Sequence, residues 1–206
     1  MSGGTSLKYD VRGDRNLFVD VEMTCWEGPP PEGERPEIIE IGIAELDIES
    51  LEVTRSQSYL VVPVHSRISD FCTRLTGISP ADIRRRGRPL AEVGARIAKD
   101  FGSRSKQWLS WGADRRAIDL DHQAKGVPPT FSAAFVDMGL DFKHSLGLSG
   151  GMGLTAAMRL YGLERTGRIH SGEQDAIDVA MLWAEMARRR REELAHAIFP
   201  DSHPSP

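Results

Sequence analysis

The stretch NLFVDVE, residues 16–22, decides how this chain is read. Leu17, Phe18, Val19 and Val21 are residues that favour a pleated strand. In a strand, side chains two apart share a face, so Asp20 and Glu22 stand ~6–7 Å apart on one surface while Val19 and Val21 face the other. Two carboxylates near the end of an otherwise apolar strand are costly unless water or a cation solvates them. Hard cations take oxygen ligands, and Mg²⁺ in particular combines carboxylates with substrate phosphates. A strand end emerging into water is the competing explanation for the pair taken alone.

Working outward, a Pro-rich loop covers residues 27–36, and strands are predicted over 38–44 and 58–62. With the first strand they make a three-stranded meander. Apolar residues at Leu90, Val93, Ile97 and Phe101 then repeat at helical spacing and predict a helix over 90–101. Strands follow at 106–111 and 133–137, with a helix opening at Asp114 between them. A helix through Leu154, Ala157, Met158 and Tyr161 stops at Gly162. A last helix, 173–198, carries its apolar stripe at Ala176, Val179, Ala180, Trp183 and Ala187. A meander followed by alternating helix and strand is an α/β fold with one mixed sheet. The expected organisation is a flexible tail over 1–15, one domain over 16–198 and a second tail over 199–206.

The chain has 206 residues, 40% hydrophobic and 27% charged, which is ordinary globular composition and excludes a disordered, collagenous or rod-like chain. No apolar run is long enough to span a membrane, and the first fifteen residues lack the apolar stretch of a signal peptide. Two cysteines, Cys25 and Cys72, make neither a disulfide framework nor a zinc site, so a reduced, cytoplasmic protein is expected. A net charge of −4 argues against coating nucleic acid non-specifically but allows a local basic groove. The Gly-rich segment 147–153 lacks the Lys-Ser/Thr of a phosphate loop and the spacing of a dinucleotide fold; a mobile loop near the active site is expected.

Two further acids matter. Asp114 follows Trp108-Leu109-Ser110-Trp111-Gly112 at a strand-to-helix turn, where an Asp commonly serves as a helix N-cap. His170 lies on a loop five residues ahead of Asp175, which enters the last helix where the helix dipole favours a carboxylate. Each has an ordinary structural explanation; their combination in this order does not. DxE on the first strand, WGxD on a later strand end and HxxxxD entering the final helix resemble the DEDDh 3′-to-5′ exonucleases of the RNase T and polymerase III epsilon superfamily. The segment Ser69-Asp70-Phe71-Cys72-Thr73-Arg74-Leu75-Thr76-Gly77-Ile78 is similar to the SDFCxxLTGI text of the Eri-like 3′ histone-mRNA exonucleases and KapD-like proteins. Asp20-Val21-Glu22-Met23-Thr24-Cys25 departs from the DTETTG usual in proofreading subunits.

The resemblance implies a ribonuclease H-like five-stranded sheet and a site made of Asp20, Glu22, Asp114, Asp175 and His170. The four acids would hold two Mg²⁺ or Mn²⁺ ions, with Asp20 bridging both. Two such ions can activate water, neutralise the phosphate and support the leaving oxygen. Imidazoles titrate near ~6.5, so His170 suits the general base. By the same resemblance, Glu22, His170 and the backbone of Met23 and Thr24 would meet the terminal nucleotide; Leu75 and Thr76 are read as presenting an apolar wedge and a hydroxyl to its base or sugar. Trp111 is read either as a stacking surface or as core. The expected substrates are single-stranded 3′ ends, RNA ahead of DNA, and the product is a nucleoside 5′-monophosphate. Rivals are a DNA-directed enzyme of the same chemistry and an inert nucleic-acid-binding scaffold. The resembled family includes monomers and homodimers, so a homodimer is among the expected assemblies.

Overall fold

A computed structural model describes residues 13–198; both outer tails, 1–12 and 199–206, lie outside the described residues. One sheet organises it, in the order β3-β2-β1-β4-β5. β1 (Arg15–Met23), β2 (Ile38–Asp47) and β3 (Glu52–Leu60) form the antiparallel meander. β4 (Trp108–Ser110) pairs parallel to β1, and β5 (Phe135–Asp137) parallel to β4. Both parallel strands are three residues long, shorter than the apolar text around them suggests; the chain bends at Trp111 directly after β4. β1 begins at Arg15, one residue inside the expected tail, where its guanidinium reaches Glu45 and Asp47 on β2.

Period two along β1 sorts its side chains as the sequence predicts. Leu17, Val19, Val21 and Met23 face a core with α3 (Leu90–Phe101) and α4 (Asp114–Lys125). Phe18 faces the other core, beneath α7 (Gly172–Ile198), together with α5 (Met138–Ser145) and α6 (Leu154–Leu160). Asp20 and Glu22 continue the Phe18 side, so the acids emerge where that core runs out.

Two short helices were not legible from periodicity: α1 (Asp70–Thr76) and α2 (Pro80–Arg86). Local chemistry builds them. Ser69 caps α1 by accepting the Cys72 N–H at 2.9 Å, and Ser79 with Asp82 forms a capping box on α2. The Arg84–Arg86 run is the last turn of α2, where cations suit the helix dipole. The Arg188–Arg191 run on α7 is tied up locally. Arg188 and Arg189 pair with Glu185, Arg190 with Glu193, and Arg191 donates to the Ile48 and Glu49 carbonyls.

Candidate active site

The site lies at the carboxyl ends of β1 and β4, where open α/β sheets place their ligands. β1 delivers Asp20 and Glu22. Asp114 is the first residue of α4, directly after the β4 turn; Ala113 occupies the cap position, so Asp114 does not cap its own helix. Asp175 sits in the first turn of α7. His170 precedes that helix in a left-handed backbone conformation (φ 62°), a strained state for a residue with a Cβ. Its N–H donates to Asp175 Oδ2 at 3.2 Å, and its Nδ1 lies 3.9 Å from Glu22 Oε1. Glu22, His170 and Asp175 each offer a ligand atom within 4.8 Å of the others.

The start of α7 is set by close backbone contact with the sheet. Gly42 on β2 pairs with Asp20, and a Cβ there would overlap the Gly172 carbonyl group. Glu40, two residues earlier, accepts the Gly172 N–H at 3.0 Å and the Ser58 hydroxyl at 2.5 Å. Glu40, itself buried, is thus a fifth acid beside the site, missed by the sequence reading although a charged residue inside IIEIGIA is its signal.

Electrostatically the acids are frustrated. Burial, then Asp114, Asp175, Glu22 and Glu40, pushes Asp20 well above the usual carboxylate range. Burial, Asp175, Glu40 and Asp114 lift Glu22 to about 8. Asp114 rises to about 6 through burial, with the nearby Ser110 hydroxyl and Val21 amide pulling the other way. Asp175 is raised by burial although Arg165 and the His170 amide oppose it. Oxygen donors gathered in numbers that protein cations do not neutralise fit hard divalent ions.

Arg165 and Asp178 form a support that the sequence reading missed. Arg165 forks between Asp175 and the fully buried Asp178, whose Oδ1 also accepts the Thr166 hydroxyl at 2.7 Å. The i, i+3 spacing of the two aspartates on one helix face is the available signal. Arg168 crosses to α1, donating to the Arg74 and Leu75 carbonyls. This is why Gly77 closes α1: its φ is +78°, and a Cβ would strike the Arg168 guanidinium.

The residues expected to contact substrate have the following surroundings in the fold. Thr24 is buried, its N–H donates to the Glu37 carbonyl and its hydroxyl to that of Arg35, so it braces the loop after β1. The Thr76 hydroxyl donates to the Cys72 carbonyl and accepts the Ile78 N–H, leaving Leu75 alone half-exposed on the wedge. Trp111 donates its ring N–H to the Met152 carbonyl at 3.0 Å and packs 5.4 Å from Phe142, which joins it to the second core and to the Gly-rich segment. Met23 is half-buried beside the acids. Burial pushes the Cys25 thiol up to about 12, and Cys72 adds to it, which removes Cys25 as a nucleophile.

This constellation now has a counterpart in known proteins. The RNase T family model, described as Exonuclease, matches residues 17–182. The chain belongs to the DEDDh class of RNase T-like exonucleases. Among relatives of this family, the 3′-5′ exoribonuclease 1 of Rattus norvegicus is 27% identical over 193 residues, covering 88% of this chain and 55% of that protein. The human 3′-5′ exoribonuclease 1 is 26% identical and covers 84% of this chain and 52% of that protein. The chain therefore spans about half the length of these relatives. The crystal structure of the nuclease domain of 3′hExo, a DEDDh member bound to rAMP, superposes with a TM-score of 0.75 at 25% identity, covering 85% of this chain and 92% of that one. E. coli exonuclease I with a dT13 oligonucleotide shares the fold (TM-score 0.63, 16% identity, 90% of this chain and 43% of that one).

Proposed function

We propose that this DEDDh protein is a two-metal-ion 3′–5′ exonuclease that removes nucleoside 5′-monophosphates from single-stranded RNA ends. The observation that carries the reading is the convergence of Asp20, Glu22, Asp114 and Asp175, with raised carboxyl pKa values and His170 at their edge. These four acids would hold two Mg²⁺ or Mn²⁺ ions, which when bound supply charge neutralisation around phosphorus and polarise water. His170 accepts the proton of the attacking water; its ring is half-exposed and its loop is held by Asp175 and Arg168. Leu75 supports the terminal base from α1, which Ser69 and Cys72 tie to the Cys25 and Met23 carbonyls just past Glu22. RNA is favoured over DNA because the relatives matched along most of the chain carry the name exoribonuclease.

The test is a 5′-labelled single-stranded RNA with Mg²⁺ or Mn²⁺, beside a matched DNA and Asp20→Ala. A ladder shortening from the 3′ end, faster on RNA and abolished by EDTA and by the substitution, is expected. Faster shortening of DNA would assign the DNA-directed reading. No cleavage of either strand and no divalent-ion binding by calorimetry would leave an inert scaffold.

A further inference from the structure

The last helix outruns the sheet it covers. Its apolar stripe begins buried at Ala176, Val179 and Ala180, passes through the half-buried Trp183 and Ala187, and keeps its period to Leu194 and Ile198. Arg191 donates to the Ile48 and Glu49 carbonyls at the turn between β2 and β3. Past that turn Leu194 and Ile198 are 49% and 65% exposed. Residues 188–198 are exposed throughout and make an overhang ~16 Å long at the helical rise. A free helix of this length is marginal in water, and large aliphatic side chains that continue a core stripe are a face suited to burial.

An open groove of about 890 Å³ runs beside the overhang, with Met138, Leu146, Leu160, Tyr161, Trp183 and Met186 among its walls. Leu146 and Leu160 are 46% and 57% exposed. Arg189, Arg190 and Glu193 line the same groove. Arg190 and Glu193 meet at 3.3 Å, but both side chains are mostly in water, where such a pair contributes little and exchanges partners easily. One helix therefore presents an apolar groove along its middle and an uncovered apolar end.

We propose that this face binds a second copy of the chain, with the two α7 helices antiparallel about a two-fold axis near Arg190 and Arg191. The order of residues along α7 is the argument. Trp183, Met186 and Ala187 are apolar, residues 188–191 are basic, Glu192 and Glu193 are acidic, and Leu194 and Ile198 are apolar again. Turned end for end, the second copy lays its Leu194 and Ile198 against the Trp183–Ala187 turn and brings its Glu193 to Arg189 and Arg190. A parallel copy would set like charge on like. The contact is isologous, so each copy fills the groove of the other and the assembly closes at two. Asp175 opens the same helix, so the two acid clusters stand at opposite ends of the pair, roughly 45 Å apart along the helices. The inference does not rest on the exonuclease reading.

Sedimentation velocity of the full chain from about 1 to 200 µM tests this, since interfaces of modest area have micromolar affinities. The native chain is expected to pass from monomer to dimer across that range. Leu194→Asp and Ile198→Asp each raise the dissociation constant about tenfold or more while leaving Tm unchanged, because both positions are exposed in the single chain. Glu193→Arg weakens the dimer by a similar factor, and adding Arg190→Glu restores it, because the charges are then reversed on both copies. A monomer at every concentration would overturn the proposal. So would a dimer that Leu194→Asp and Ile198→Asp leave intact, which would put the interface on another face. Failure of the paired charge reversal to restore the dimer would overturn the antiparallel arrangement.

Discussion

Buried carboxylates occur in two settings in this molecule, and their fates are opposite. Glu37 and Glu45 are almost completely buried, but each is met by protein donors. Glu37 accepts the N–H groups of Val64, His65 and Ser66 and pairs with Lys125 at 3.1 Å. Burial alone would raise its pKa, yet these partners hold it at about 2. Glu45 is surrounded by Arg15, Arg55 and Lys106, and is likewise held below its ordinary range against its burial. At the ends of β1 and β4 the acids face one another instead, and their pKa values go up. The first setting spends charge on holding the fold; the second leaves charge uncompensated where a cation can use it.

Substitutions separate the two. Asp20→Asn is expected to lower the cleavage rate on the order of 10³-fold, as loss of a main electrostatic element does, while the metal-free melting temperature holds or rises because repulsion is relieved. Rate assays beside calorimetry in EDTA check both halves; a large fall in melting temperature would break the contrast. Glu37→Gln is the mirror case. It leaves Lys125, only 6% exposed, with Asp121 alone and should cost about 3 kcal/mol in urea unfolding.

Asp175 is the intermediate case, because Arg165 neutralises it in part. Arg165→Gln strands the buried Asp178 and should destabilise by about 3 kcal/mol; adding Asp178→Asn should recover most of that loss in the same unfolding assay.

The smallest expected effect is in pH dependence, where the two settings tilt oppositely. Glu37 has a lowered pKa, so its stabilisation is present above the ordinary value of 4.5 and is lost as pH falls through about 2. Glu22 has a raised pKa, so the metal-free fold is favoured below 4.5 and that advantage is lost as pH rises through about 8. Urea midpoints in EDTA from pH 5 to 8 should fall with pH in the native protein and fall less steeply in Glu22→Gln, where Asp20, Asp114 and Asp175 still have raised values. Mn²⁺ should reduce the slope more in the native protein than in the variant.

Much of the site was legible because it rests on short-range rules. Period two fixes Asp20 and Glu22 on one face, and the spacing from His170 to Asp175 spans a loop and one helix start. The helix over 90–101 is read correctly because its five buried residues repeat at 3.6. What escaped depends on side-chain direction, on distant partners or on helices too short to show a period. No local pattern says that Thr24 and Thr76 turn their hydroxyls inward, since their acceptors lie on a loop carbonyl and on the preceding turn. Glu40 looks like a solvated strand residue until α7 arrives on it from 132 positions away. The seven-residue helices α1 and α2 are too short for periodicity to register, although their serine caps are visible once the boundaries are known.

The contact of Gly42 with Gly172 bears on how still the site is. The distance from Asp20 to Asp175 is inherited from a strand and a helix start pressed together without intervening side chains, and backbone so packed has no rotamers to sample. Thermal fluctuation across the acids is therefore damped by the sheet itself. The amides of Gly172 and Asp175, bonded to Glu40 and to the Ser171 carbonyl, should exchange their hydrogens among the slowest of any helix beginning in this chain. A helix start usually frays; this one is pinned by the strand beneath it.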